Sequence, residues 1–494
     1  MNAITALLNT DFGNPDGLYD NNLQNYFLDQ DYWDKIVENK TYFVVGRKGT
    51  GKSSIYNWIH NKQSEREVII SNLSFKNFPF ERLLRLSDDD FTRPNQYQSI
   101  WKNIILSEFA KQIVLNQNIS NISDSYKEIK NFVDFKYGKE LKDLHVQITT
   151  HTDKGDVGLQ FRGIGLSSSY ERSTEIGDGL NNITEINNRL KELILNVISE
   201  SANGYLIQFD QLDDNYTFYI NKQPYFESLI SLFKVIYTLN AELMGANPKV
   251  KIIAYLRSDI FYQFSNHDPD SAKFDYHTFI LNWAIINRTD WMNPPLLQLM
   301  NIRIENSIKE LSGRGSFKYI FNNNFIGLKD NDKAIDPFKF IVHRTFHRPR
   351  DLVQFCIKIK EEAHEKNKLD HTVIRSAEKE YSSWLLEELR NEIAPIIKAT
   401  DTLFIFLRLF GTRVFSSDEF IRKFIESRNK NIKKSPQALL RYLYSLGMIQ
   451  NVNITSSRTE YFSIIRNERS RYEPKMRATL HPGIIKGLHA FETD

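Results

Sequence analysis

Residues 42–58 read YFVVGRKGTGKSSIYNW, and this stretch decides the fold. Tyr42 to Val45 has the length and β-branched content of a buried strand, it stops at Gly46, and an amphipathic pattern starts after Lys52. Between them Gly46, Arg47, Lys48, Gly49, Thr50, Gly51, Lys52 and Ser53 fit the P-loop pattern G-x-x-x-x-G-K-[ST], with Ser54 following in the first helical turn. Glycines at this spacing let consecutive N–H groups point at phosphate oxygens, and the next helix offers its positive N-terminus. Lys52 is then an exposed ligand for the β- and γ-phosphates, and Ser53 a ligand for Mg²⁺.

A phosphate site on an α/β sheet needs further groups at the carboxyl ends of other strands. Tyr205 to Asp210 reads as such a strand, and Asp210 stands where a Walker B aspartate holds Mg²⁺. Gln211, Leu212, Asp213 and Asp214 follow, so two more acids are within reach. A third buried strand, Val250 to Leu256, ends in Arg257, Ser258 and Asp259. Two readings of Arg257 stand equally: a guanidinium that senses the γ-phosphate, or an ion pair with Asp259 or Asp210. Glu67 to Leu73 reads as a further strand. Helices are expected at Gln24 to Val37, Phe80 to Leu86, Gln96 to Leu115, Ile183 to Ile198 and Tyr225 to Met244.

At 494 residues the chain exceeds one ordinary core, and about 150 residues per domain suggests roughly three domains. Four segments are expected: an N-terminal extension at 1–40, packed beside the nucleotide site; an α/β core at 41–290; a helical lid at 291–393; and a domain at 394–494. Hydrophobic content of 41% and charged content of 25% suit a soluble globular protein. No run approaches about 18 consecutive apolar residues and the N-terminus lacks a basic and then apolar leader, so a cytoplasmic location without membrane contact is expected. The single cysteine, Cys356, excludes an internal disulfide and agrees with a reducing compartment. Residues 394–494 hold 17 Lys+Arg against 9 Asp+Glu, a balance of +8, which leaves −5 for the rest of a chain carrying +3. A basic excess confined to one end points to a polyanion there, or to a solvated surface.

The segment at about 118–180 breaks the helical regularity. His145 to Tyr170 alternates as β-hairpins do, around Asp153 to Asp156, and reads as a β-rich insertion carrying partner contacts. Downstream, a helix is expected at Leu296 to Leu311. His343 to Asp351, HRTFHRPRD, then concentrates cations before a helix at Leu352 to Glu362, with another at Thr372 to Glu392. The last hundred residues suit a winged helix, with helices at Ile396 to Phe410, Ser417 to Ile425 and Pro436 to Leu446, and strands at Met448 to Val452 and Thr459 to Ile465. The basic stretches Arg428 to Lys434 and Arg466 to Arg477 leave duplex DNA and protein as alternative partners.

With these residues in hand, the chain resembles the STAND and origin-recognition-like branches of the AAA+ ATPases over roughly residues 25–490, less the insertion. FDQLDD is similar to the STAND Walker B, and LRSD to the sensor arginine, carried by Arg257. RPRD is similar to the lid arginine motif, assigned to Arg350 first and Arg348 second. GRKGTGKS, RPRD and His481-Pro482-Gly483 together resemble a bacterial P-loop ATPase family of anti-phage defence and mobile islands, an associational step. The resemblance implies a P-loop α/β sheet, ATP and Mg²⁺ as ligands, slow or normal hydrolysis, a homo-oligomer, and a switch that contacts DNA or an effector protein. Gln211 replaces the usual glutamate and an amide cannot take a proton, so either Asp213 or Asp214 substitutes as catalytic base, as the STAND-like spacing implies, or hydrolysis is slow and the protein acts as a nucleotide-dependent switch.

Overall fold

The computed structural model describes residues 1–17, 19–76, 80–84, 92–115, 123–137, 179–213, 223–286, 289–321, 329–330, 333–428, 431–456 and 459–489. The chain divides into two compact units. One comprises Asp31–Gly46 and Ile55–Leu281; the other comprises Met1–Gln30, Arg47–Ser54 and Asn282–Asp494.

The first unit is built on a five-stranded parallel sheet: β1 (Phe43–Gly46), β2 (Val68–Ser74), β3 (Gly204–Asp210), β4 (Val250–Arg257) and β5 (Thr278–Ile280), in the order β2-β3-β4-β1-β5. β1, β3 and nearly all of β4 are buried continuously, as expected for strands covered on both faces. The register sets Gly46 beside Arg257 and Ser74 beside Asp210, all at the carboxyl edge.

Helices Gln98–Leu115, Asp124–Tyr137, Gly179–Ser199 and Gln223–Ala246 pack around one another, and several reach the sheet. Their core is aromatic: Phe43 stacks on Phe233 at 4.2 Å, and Trp101, fully buried, gives its indole N–H to the Ser228 carbonyl at 2.9 Å. Truncating a side chain such as Trp101 to alanine costs about 3–5 kcal/mol. Gln223–Ala246 is long and apolar enough to cross a membrane by length and composition, alone among the described residues, although no uninterrupted apolar run marks it. Phe226, Leu229, Ile230, Phe233 and Ile236 on it are core residues.

Sequence and structure differ in informative places. The expected helix at Gln24 to Val37 is two short pieces, a 3₁₀ turn at Leu23–Asn25 and a π-helical turn at Trp33–Glu38. Lys251 on β4 satisfies the end of that turn, donating to the carbonyls of Ile36 and Val37, both at 2.8 Å, and of Asn39. Within the expected β-rich insertion, Asp124–Tyr137 is a helix whose Ile129, Phe132 and Val133 belong to the core, so this part is integral to the unit. The hairpins expected at His145 to Tyr170 lie outside the described residues.

In the second unit, helices Pro295–Ser307, Pro349–Lys366 and His371–Ile393 pack with the N-terminal helix Ala3–Asn9 and the terminal helix Pro482–Leu488. Residues 400–480 form helices Thr400–Arg408, Ser417–Glu426 and Pro436–Ser445 and a three-stranded antiparallel sheet. Ile449–Ile454 is its middle strand, between Arg477–Leu480 and Thr459–Phe462. Ser416 and Ser435 cap the second and third of these helices, and Pro436 occupies the first turn of the third, the pattern their sequence announces. His481-Pro482-Gly483 opens the terminal helix. His481 accepts from the Gly483 N–H at 3.1 Å, and a Cβ on Gly483 would stand 2.1 Å from the Arg344 carbonyl oxygen, so only glycine fits.

Candidate functional site

The candidate residues fall into two groups, one in each unit. The first is the loop that leaves β1. Gly49 and Gly51 have φ of +81° and +95°, backbone that L side chains rarely adopt, and the helix Lys52–Asn61 begins directly after them. The Arg47 carbonyl holds the loop closed, accepting from the Thr50 N–H at 3.2 Å, from the Thr50 hydroxyl at 2.8 Å and from Lys52 Nζ at 3.2 Å. Lys52 is therefore a buried side chain, 9% exposed, and not the exposed ligand its motif position suggests. Trp283 gives its indole N–H to the Thr50 carbonyl at 2.9 Å. Ser53 lies half-buried on the first helical turn.

The lid arginines meet this loop. Arg348 is buried, donates to the Lys48 carbonyl at 3.0 Å and forms a two-pronged pair with Asp351 at 2.8–3.1 Å. Burial alone would lower its pKa; Asp351 outweighs that and raises it. Arg350 packs on Gly49, where a Cβ would stand 3.2 Å from its own, and its backbone N–H reaches the Gly49 carbonyl at 3.4 Å. Its guanidinium lies 3.4 Å from Glu388, 3.3 Å from the Pro15 carbonyl and 3.9 Å from Asp16. Lys48 pairs with the same Glu388 at 3.2 Å and with Glu392 at 3.6 Å. Burial pushes the Glu388 carboxyl up, but Lys48 and Arg350 prevail and hold it below the ordinary carboxylate range.

Sequence reasoning placed Arg348 and Arg350 in the lid and missed the carboxylates Asp16, Glu388 and Glu392. Asp16 sits in the Asn14 to Gly17 turn, and the same turn brings Gly17 against Ser54, with the position of a Cβ only 2.0 Å from the Ser54 hydroxyl. Asn14-Pro15-Asp16-Gly17 is a turn signal in the sequence itself, but nothing local tells where the turn packs.

The second group stands at the carboxyl edge of the parallel sheet. Asp210, 3% exposed, ends β3, and its charge adds to burial in raising the Tyr56 and Tyr255 phenols above their ordinary pKa. Tyr255 donates to Gln208 at 2.6 Å, and Gln208 donates to Asn72 at 2.9 Å, a hydrogen-bonded row beneath the acid. Gln211 turns at φ +60° and accepts from the Ser74 hydroxyl. Arg257 makes a two-pronged pair with Asp259 at 2.8 and 2.9 Å and lies 3.7 Å from Asp213, so it is held by acids of its own sheet edge. Asp214 lies outside the described residues. Among the described residues no group of three His, Cys, Asp or Glu side chains is placed to hold a metal ion.

The FunZ-associated C-terminal helical domain matches residues 294–390, which include Pro295–Ser307, Pro349–Lys366 and most of His371–Ile393. No curated protein matches the chain. Among solved structures the chain is similar to the Aeropyrum pernix ORC1 protein in complex with DNA, at 11% identity and a TM-score of 0.33, over 91% of this chain and 86% of that one.

Proposed function

We propose that the chain is a P-loop ATPase of the AAA+/STAND-like kind, a switch whose nucleotide state governs self-association and contact with DNA or an effector protein. One observation carries the reading: a loop of the pattern G-x-x-x-x-G-K-S leaves the carboxyl edge of a parallel strand with Gly49 and Gly51 at positive φ and passes straight into a helix at Lys52. Those glycines let the backbone take the turn that a phosphate loop needs, and the helix start favours an anion. Lys52 would take the β- and γ-phosphates; Ser53 and Asp210 would hold Mg²⁺, which supplies charge neutralisation during phosphoryl transfer. Arg350 is the remaining cation for the transferred group, Arg257 would join it only on release from Asp259 and Asp213, and Asp213 or Asp214 would orient the attacking water. Residues 400–480 support a winged-helix reading, with Pro436–Ser445 as the element presented to a duplex and Arg428, Lys433, Arg441 and Arg469 exposed around it.

Binding of MgATP to the full chain and to Lys52→Ala tests this. Loss of a charge-assisted contact should weaken binding by at least about 1.5 to 3 kcal/mol while the circular dichroism spectrum holds. Equal affinity in a folded Lys52→Ala protein overturns the reading. A second reading, a DNA-binding adaptor whose ATP site is mainly structural, is favoured by Gln211, an amide tied to Ser74 where a base is wanted. Turnover measured with and without duplex DNA separates the two, since the adaptor binds ATP without releasing phosphate under either condition.

A further inference from the structure

Arg47, whose identity the P-loop pattern leaves free, directs its side chain out of the loop. The guanidinium lies 5.5 Å from the centre of the Phe346 ring, and its Nη2 is 3.2 Å from where a Cβ on Gly447 would stand. Gly447, at φ +81°, follows the helix Pro436–Ser445, and the same Cβ position is 3.2 Å from Ile465. The Arg47 Nη1 is closed off from solvent and has no hydrogen-bond partner among the described residues. Burial lowers the Arg47 pKa to about 10, Arg348 adds to this, and Glu468 and Glu392 counter it. At the other end of the residue, the Arg47 carbonyl is the acceptor that holds Thr50 and Lys52 Nζ. One residue thus holds Lys52 with its backbone carbonyl and packs on Phe346 and Gly447 with its side chain, with the Glu468 charge acting on it from further along the same segment.

We infer that Arg47 is a positioning residue coupling the phosphate loop to residues 447–468, so that nucleotide binding at Lys52 and the packing of that segment alter one another. The inference rests on the loop being a MgATP site. Packing against Phe346 and Gly447 restricts the rotamers open to the Arg47 side chain, so a shift of either partner is passed on to the Arg47 backbone and to the closed turn that holds Lys52. Coupling of this kind is reciprocal, so a change made in the segment must be felt at the nucleotide.

The test measures MgATP affinity of the full chain carrying Glu468→Gln or Gly447→Ala, each alone and combined with Arg47→Ala. Glu468→Gln removes the countercharge without changing shape, and Gly447→Ala pushes against Nη2. Each should weaken binding by about fivefold or more in the native background, and by less than about twofold once Arg47 is alanine. If Gly447→Ala fails to fold because of its positive φ, Glu468→Gln alone decides. Affinity unchanged by Glu468→Gln, or an equal loss with and without Arg47, overturns the coupling. A native chain that binds no MgATP is a different result: it removes the nucleotide reading itself, and the coupling with it.

Discussion

Glu388, on the helix His371–Ile393, is a meeting point of cations. It draws Lys48 at 3.2 Å and Arg350 at 3.4 Å onto one carboxylate, beside the loop proposed to receive phosphate. A phosphate and this carboxylate compete for the same cations. Glu388→Gln should therefore release them and tighten MgATP binding. The partners are only partly buried, so solvent screening limits the gain to about 1 kcal/mol or less, roughly fivefold in affinity. Equilibrium titration of the variant against the native chain measures it, and unchanged or weaker binding would show that Glu388 organises the loop and does not compete for its cations. Arg348 sits apart from this exchange: Asp351 and the Lys48 carbonyl already engage it, so Arg348→Ala should cost stability before it costs affinity.

At the scale of elements, the ends of β3 and β4 set the acids in different surroundings. Asp210 is buried within the sheet edge, whereas Asp213 lies in the turn beyond it against Arg257. Asp210→Asn should impair Mg²⁺-dependent binding and turnover together; Asp213→Asn should leave binding within about twofold and lower turnover. Normal hydrolysis by Asp213→Asn transfers the base role to Asp214 or to neither.

Another element-scale prediction concerns His347, the residue before the helix cap, which stands at φ +51° and accepts from the Ile285 N–H at 3.2 Å. Burial first, then the charges of Arg466, His343 and Arg47, lower its pKa to about 3. Between about 6.5 and 3 the unfolded chain binds a proton that the folded chain refuses. Stability therefore rises with pH across that window and is lost as pH falls below about 6.5, by about 1.4 kcal/mol at pH 5.5 from this group. His347→Asn tolerates the backbone and keeps an acceptor. The urea midpoints of the native chain and of this variant at pH 7.5 and 5.5 check the effect, and an identical pH drop in both would remove His347 as its source.

The long elements were legible because their periodicity is strong: β1, β3 and β4, the helices from Gln98 and Gln223, and the helices from Ser417 and Pro436 lie where composition and spacing put them. What was missed is short or held from afar. β5 has three residues and the strand Arg477–Leu480 four, too few for alternation to register, and both gain their hydrogen bonds from distant strands. For the same reason the motif residues Lys52, Arg348 and Arg350 were readable, and Asp16, Glu388 and Glu392, which no local pattern connects to them, were not.

On the scale of the whole molecule, the proposed ATPase activity depends on whether one chain supplies enough positive charge for phosphoryl transfer. The transition state spreads negative charge over equatorial oxygens, and arginine is the side chain best suited to meet it. In this chain Arg348 is committed to Asp351, the Arg47 guanidinium packs over Phe346, and Arg257 is held by Asp259 and Asp213. Arg350 is left, shared with Glu388 and Asp16. A neighbouring copy is the economical source of another guanidinium, so the chain should form a homo-oligomer stabilised by ATP or a slowly hydrolysed analogue. Activity per subunit should then rise with protein concentration and level off once assembly is complete. Glu388→Gln should partly replace the neighbour, raising the activity of dilute protein more than that of concentrated protein. Light scattering at micromolar protein with the analogue bound, read beside specific activity over a hundredfold dilution, measures both. A single-chain mass together with specific activity independent of concentration would show that Arg350 suffices alone.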